Sequence, residues 1–208
     1  MINYAPNIKT ILLDYLMESK PIDEFIISHE MPFESGSRRA DIAVIQKHQM
    51  TAYEIKGPQD NLNRLDDQLN SYFRTFDFTY LVITPLYLAS VVSKFPSKLG
   101  IIVINLDTRS LKIIRPAKRI KRLNKDSLSS LIGRKDILSI DFFKHRQQLS
   151  KLSLSQLREI LVKQVNLQTI QTKALESYLD KYRNPFISFT RERGTRTTLD
   201  DLKNLVQR

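Results

Sequence analysis

The sequence predicts an α/β protein, a mixed β-sheet flanked by helices, with a mostly helical C-terminal appendage. Three observations carry this. Apolar spacing switches between helical and strand periods in the order α-β-β-β-α-β-α-β-β over the first half of the chain. A hydrophobic content of 41% beside 26% charged residues suits a packed globular chain of 208 residues. At "RPAKRIKRLNKD" the composition turns strongly basic, and helical spacing dominates from there on. We therefore divide the chain into residues 1–117, which hold the sheet, and residues 118–208.

The elements follow in order. In "NIKTILLDYLMES" the apolar positions Ile8, Ile11, Leu12, Leu16 and Met17 fall on one helical face. "PIDEFIISHEMPF" reads as a strand after a proline break, and "ESGSRR" as a turn. Residues 39–46 and 51–57 read as two strands facing each other across "KHQM". In "QDNLNRLDDQLNSYFRTF", Asp60 suits a helix N-cap, and Leu62, Leu65, Leu69 and Tyr72 form an apolar stripe. "FTYLVITP" is a buried strand and "YLASVVSKF" a short helix. "GIIVIN" and "SLKIIRP" are strands joined at "LDTR". Helices are expected in "SLSSLIGRKDILSIDFF", "SLSQLREILVKQ", "NLQTIQTKALESYLDKYR" and "TLDDLKNLVQR", and a flexible basic tail in "RNPFISFTRERGTRTT".

Composition narrows the chemistry. With no cysteine there is no disulfide, thiolate metal site or cysteine nucleophile. His29, His48 and His145 form no metal-binding spacing, and five glycines make no phosphate-cradling loop. No leader-type segment and no run of about 18 apolar residues is present, so a cytoplasmic protein off the membrane is expected. The net charge of +11 points to a polyanionic partner. The basic run holding Lys118, Arg119, Lys121 and Arg122 can track a phosphate backbone or form a solvated edge.

The hairpin holds the informative residues. If its strands pair around "KHQM", positions summing to 95 face each other, and Asp41 lies opposite Glu54. Alternation puts Glu54 and Lys56 on one face. Two carboxylates about 4 Å apart repel by roughly 4 kcal/mol at an effective dielectric of 20. A divalent cation between them reverses that sign, and hard oxygen donors suit Mg²⁺ or Mn²⁺. An exposed face of ordinary charges, or an Asp41–Lys56 ion pair, is the alternative. Glu30, with Glu34 as competitor, stands where a third carboxylate can join. Arg64, Gln68 and Tyr72 share a helix face at i, i+4 and i+8.

Taken together, "RADIAVI" and "YEIKGPQDNLNRLDDQLNSY" resemble the PD-(D/E)XK nuclease superfamily, the restriction-endonuclease-like fold, over roughly residues 5–105. Glu30, Arg39-Ala40-Asp41-Ile42, Glu54-Ile55-Lys56, and Arg64-Leu65 with Gln68 and Tyr72 carry the resemblance. Ala40 stands where the superfamily often has proline, a backbone preference rather than a chemical one. The resemblance implies a restriction-endonuclease-like sheet and a metal-dependent nuclease, a hydrolase of phosphodiester bonds. Asp41, Glu54 and the Ile55 carbonyl would bind Mg²⁺ or Mn²⁺, and Lys56 would be the catalytic lysine. Glu30 would be an accessory ligand or water orienter. Gln68, Arg64, Arg39 and Tyr72 would line the site and meet substrate, with Lys118, Arg119, Lys121 and Arg122 as further backbone contacts. DNA is expected over RNA. A homodimer and a protein partner on the C-terminal helices are open. Two other classes stay in play: a non-catalytic nucleic-acid-binding or adaptor module, and a nuclease subunit active only with a partner.

Overall fold

The computed structural model describes residues 4–19, 21–121, 123–140, 149 and 151–206. Arg122 and His145 lie outside them. The sheet has six strands in the order β1-β2-β3-β4-β5-β6. These are β1 (Ile26–Phe33), β2 (Arg38–Gln46), β3 (Gln49–Lys56), β4 (Phe78–Ile83), β5 (Gly100–Asn105) and β6 (Ser110–Arg115). β1, β2 and β3 form an antiparallel meander, β3, β4 and β5 run parallel, and β6 closes antiparallel on β5. The parallel pairs need crossovers. Helices α2 (Leu65–Thr75) and α3 (Leu88–Lys94) supply them. This is the mixed α/β sheet with flanking helices that the periodicity predicts.

Helix α1 (Ala5–Ser19) packs beside β3, β5 and β6, burying Ile8, Leu12 and Leu16. A second apolar cluster joins Leu65, Leu69 and Phe73 of α2 to Leu81, Ile83 and Ile101. Leu81 and Ile83 of β4 thus face α2 while Val82 between them joins the other apolar cluster, as strand alternation requires.

The region after β6 contains α4 (Lys125–Ser129), α5 (Arg134–Leu138), α6 (Leu154–Gln164) and α7 (Leu167–Glu192). Its residues Leu128, Leu161, Ile170 and Phe189 belong to the same apolar cluster as Ile8 and Ile42. "SLSSLIGRKDILSI" is two short helices rather than one, because Gly133 stands outside both. Its last residues, 141–143, are not described. The expected terminal helix is a 3₁₀ segment at Asp201–Leu205.

The expected flexible tail, residues 183–198, is instead helix as far as Glu192. α7 runs on through Pro185 to Glu192, and Phe186 and Phe189 are buried. These rings extend the face of Tyr178 and Tyr182, and Phe25 meets Phe186 at 5.7 Å between centroids. A helix-interior proline costs about 3 kcal/mol. Two buried phenylalanines return roughly 1.5–3 kcal/mol each. Burial wins, and the helix continues through the proline. Beyond α7 the chain returns to α1: Asp14 Oδ1 accepts from the Arg193 guanidinium (3.1 Å) and the Thr197 amide (2.7 Å).

At the hairpin end of β3, Asp77 is 2% exposed and accepts from the Met50 amide (2.9 Å), Arg119 (3.2 Å) and the Gln171 side-chain amide (2.9 Å). One carboxylate thereby ties together the hairpin, the basic stretch and α7. Asp60 is not the N-cap of α2. It accepts from the Gly57 amide (2.6 Å) and closes the turn after β3, while α2 starts later, with Arg64 at its N-cap position. Among the described residues no helix is long and apolar enough to cross a membrane. Replacing Asp77 with alanine strands buried donors on two elements, and we expect a loss of about 2–3 kcal/mol. Urea unfolding should show a lower midpoint with an unchanged m-value; an unchanged midpoint would remove Asp77 as a clamp.

Candidate functional site

β2 and β3 are joined by a two-residue turn, Lys47-His48, with Gln46 paired to Gln49. The turn is tighter than the four residues expected, but the register is the same: Ile42 pairs with Tyr53, so Asp41 and Glu54 stand opposite each other at the next position. On the other side His29 pairs with Ile42 and Met31 with Ala40, which sets Glu30 across from Asp41. The three carboxylates Glu30, Asp41 and Glu54 therefore form one row across β1, β2 and β3.

The sheet yields at this row. Glu30 has φ of +52°, a left-handed backbone inside a strand. Such a residue costs on the order of 1–3 kcal/mol and persists only where surrounding contacts hold it. Asp41 Oδ2 accepts from the Ile55 amide at 2.8 Å, so a side chain replaces the backbone partner of the ladder.

Two lysines answer the three acids. From α1, Lys9 Nζ lies 2.5 Å from Glu30 Oε1, 3.1 Å from Asp41 Oδ1 and 3.1 Å from His29 Nε2. From β3 itself, Lys56 Nζ lies 2.7 Å from Glu54 Oε1 and donates to Gln68 Oε1 at 3.0 Å. The Tyr72 hydroxyl donates to Glu54 Oε2 at 2.6 Å. Gln68 and Tyr72 are one turn apart on α2, which is why one helix face reaches both Lys56 and Glu54.

Burial, only partly offset by Lys9 and the Ile55 amide, holds Asp41 above the ordinary carboxylate range. Glu54 is raised by burial and then by repulsion from Asp41, with Lys56 and Tyr72 working against the rise. Burial works against the Lys9 ammonium, but Asp41 and Glu30 outweigh it and its pKa is raised. Burial and the neighbouring Lys9 lower His29 to about 4, so its ring is neutral at pH 7.

Of the residues expected from the sequence, the fold gathers Glu30, Asp41, Glu54, Lys56, Gln68 and Tyr72, with Ile55 between the second pair. Arg39 and Arg64 are exposed, one two residues before Asp41 and the other one turn before Gln68. Glu34 goes elsewhere: it is held by Arg38, Arg74 and the Ser71 hydroxyl, so Glu30 is the third acid of the row. Lys118 and Arg119 do not reach the row. The Lys118 amide bonds the Lys98 carbonyl, and Arg119 binds Asp77 at the Met50 end of β3. Met50 is about 13 Å along the strand from Glu54 at 3.3 Å per residue. Lys121 is exposed just beyond that clamp. The sequence reading missed Lys9 and His29. A lysine among isoleucines on an amphipathic helix gives no signal until the helix is docked.

Among the described residues no three His, Cys, Asp or Glu side chains converge as a ready metal cluster. Glu30 turns to Lys9 instead. Asp41 and Glu54 each have both oxygens engaged by one donor, yet a carboxylate offers about four lone-pair sites. Their remaining lone pairs are hard anionic oxygens, the donor type Mg²⁺ and Mn²⁺ take.

The family described as Bacteriophage P4 protein cII matches residues 2–206 of this chain. Protein cII of Enterobacteria phage P4 is 31% identical over 169 residues, covering 74% of this chain and 64% of the phage protein. The chain thus spans less than two thirds of that relative's length. A solved protein of unknown function from Silicibacter pomeroyi is similar over 58% of this chain and 76% of its own, with a TM-score of 0.45 and 15% identity.

The raised Glu54 pKa has a definite consequence for stability. A carboxylate raised on folding stabilises fully below its unfolded pKa of about 4.3. That contribution is lost as pH rises through the folded pKa. Glutamine at position 54 escapes the loss. In EDTA, the melting temperature of Glu54→Gln relative to wild type should climb from pH 4 to pH 7; a flat difference would contradict the burial argument.

Proposed function

The chain belongs to the Bacteriophage P4 protein cII family, and we propose that it is a divalent-metal-dependent nuclease that hydrolyses phosphodiester bonds in DNA. The observation that carries this reading is the row of Glu30, Asp41 and Glu54 flanked by Lys56. It supports the resemblance to PD-(D/E)XK nucleases, whose acids and lysine fall on these positions.

When bound by Asp41, Glu54 and the Ile55 carbonyl, Mg²⁺ or Mn²⁺ would neutralise phosphate charge and lower the pKa of an attacking water. The chain's own residues do the rest. Lys56, kept in place by Gln68, presents an ammonium to the charge that develops on the phosphate oxygens. Tyr72 fixes Glu54 in one rotamer through its short hydrogen bond, so the carboxylate does not reorganise during the reaction. Arg39 and Arg64, exposed beside the row, are free to meet neighbouring backbone phosphates, which position the strand without reading its sequence. The net charge of +11 favours such a substrate.

The test is nicking of supercoiled plasmid and cutting of single-stranded DNA with Mg²⁺, Mn²⁺ or EDTA. Wild type should cut only with metal. Asp41→Ala should abolish cutting, and Lys56→Ala should slow it by about 10²–10³-fold, the usual loss for one charge-stabilising donor. Gln68→Ala, which releases Lys56 without removing it, should cost about 10–100-fold. Folded wild type that binds DNA with steep salt dependence but cuts nothing would favour the non-catalytic binding module. Cutting that survives Asp41→Ala would place the activity elsewhere.

A further inference from the structure

Lys9 comes from a different element than the rest of the site, and its surroundings are unusually complete. A lysine ammonium has three donors and no acceptor. Here three acceptors meet it: Glu30 Oε1 at 2.5 Å, Asp41 Oδ1 at 3.1 Å and His29 Nε2 at 3.1 Å. The residue is 7% exposed, so water does not compete for it. The same Nε2 lies 3.5 Å from Glu30 Oε1, so the ammonium is what separates the imidazole lone pair from that carboxylate.

The position is a bridging one. An ion shared by Glu30 and Asp41, with an imidazole as third ligand, would have to sit where Nζ sits. In sites that use two divalent ions, the ions lie about 3.5–4 Å apart and share a carboxylate. Asp41 is the acid placed for sharing, since it faces Glu54 on one side and Glu30 on the other. The Glu30 side of that pair is already filled by the lysine.

We infer that Lys9 is a built-in cation that occupies the second metal position, so that the site takes one divalent ion per chain. This rests on the nuclease reading above and adds the stoichiometry. Charge agrees with it. Three carboxylates against the ammoniums of Lys9 and Lys56 leave one net negative charge, which one divalent ion turns into one positive charge. That matches a single phosphodiester. A second divalent ion added beside Lys9 would leave three positive charges in a half-buried pocket, an arrangement electrostatics disfavours.

Lys9 is then a positioning residue. It holds Asp41 from the side away from Glu54, and its loss opens a second site rather than only weakening the first. The experiment counts Mn²⁺ by titration calorimetry and by the electron-paramagnetic-resonance signal of free Mn²⁺. The number of interest is the ions lost on Asp41→Ala. Wild type and Lys9→Arg should each show one such ion, and Lys9→Met should show two, with circular dichroism confirming that it is folded. Two ions in wild type would overturn the role of Lys9 and leave the metal-dependent reading standing. A folded Lys9→Met that binds one ion or none would overturn it as well. No Asp41-dependent ion in wild type would overturn the metal-dependent reading itself, and the role of Lys9 with it. The wild-type count is read against Asp41→Ala, so circular dichroism confirms the fold of that variant as well.

Discussion

Three carboxylates side by side in a β-sheet, Glu54 buried and Glu30 and Asp41 half-buried, can persist only if cations meet them, and the arrangement of this protein around its first three strands follows from that constraint. An uncompensated buried charge is among the most costly features a fold can hold. Lys56 lies within the strand that carries Glu54, and it reaches Glu54 two residues away. Lys9 has to be brought in from α1, so the first helix is part of the electrostatic balance as well as of the apolar core. The row would be repulsive if α1 undocked. Helix α2 is constrained in the same way, because Gln68 and Tyr72 must present their polar ends to the row while Leu65, Leu69 and Phe73 stay in the second apolar cluster.

The polar network and the apolar core are interleaved rather than separate. Tyr72 is 1% exposed, its ring packed at a tilt against Phe33 and Phe76 while its hydroxyl reaches Glu54. Asp77 plays a comparable part at the other end of β3, where it gathers Met50, Arg119 and Gln171. β3 is thus pinned by carboxylates at both ends, one a clamp and the other part of the site. The basic stretch that follows β6 spends Arg119 on the clamp. Arg115 is spent on the carbonyls of Leu99 and Phe95. Part of the chain's positive charge is therefore structural, and counting lysines and arginines overstates what a polyanion would meet.

Much of the sheet was legible because its signals are local. The alternation in residues 39–57 sets the hairpin register, and register alone puts Asp41 opposite Glu54. The i, i+4 spacing of Gln68 and Tyr72 predicts a shared face, and that face meets the row. What could not be read depends on distant packing. Nothing near Lys9 in the sequence announces that it will meet residues 20 and 21 positions away. Phe186 and Phe189 sit among arginines and after a proline, which reads as a tail until the face of Tyr178 and Tyr182 is extended through them. Arg119 looks like a phosphate contact because the buried carboxylate that claims it lies 42 positions earlier.

The return of the chain to α1 has a kinetic meaning. Asp14 is bound by Arg193 and Thr197, partners separated from it by 179 and 183 positions. Contacts this long in sequence form late, because the loop they close is entropically expensive until the rest of the structure has shortened it. On the ribosome, α1 therefore emerges long before Arg193 and Thr197, the residues that fasten it. Until those residues have been made, the helix that carries Lys9 lacks this anchor, so the acids of the sheet gain their balancing charge securely only after α7 has formed.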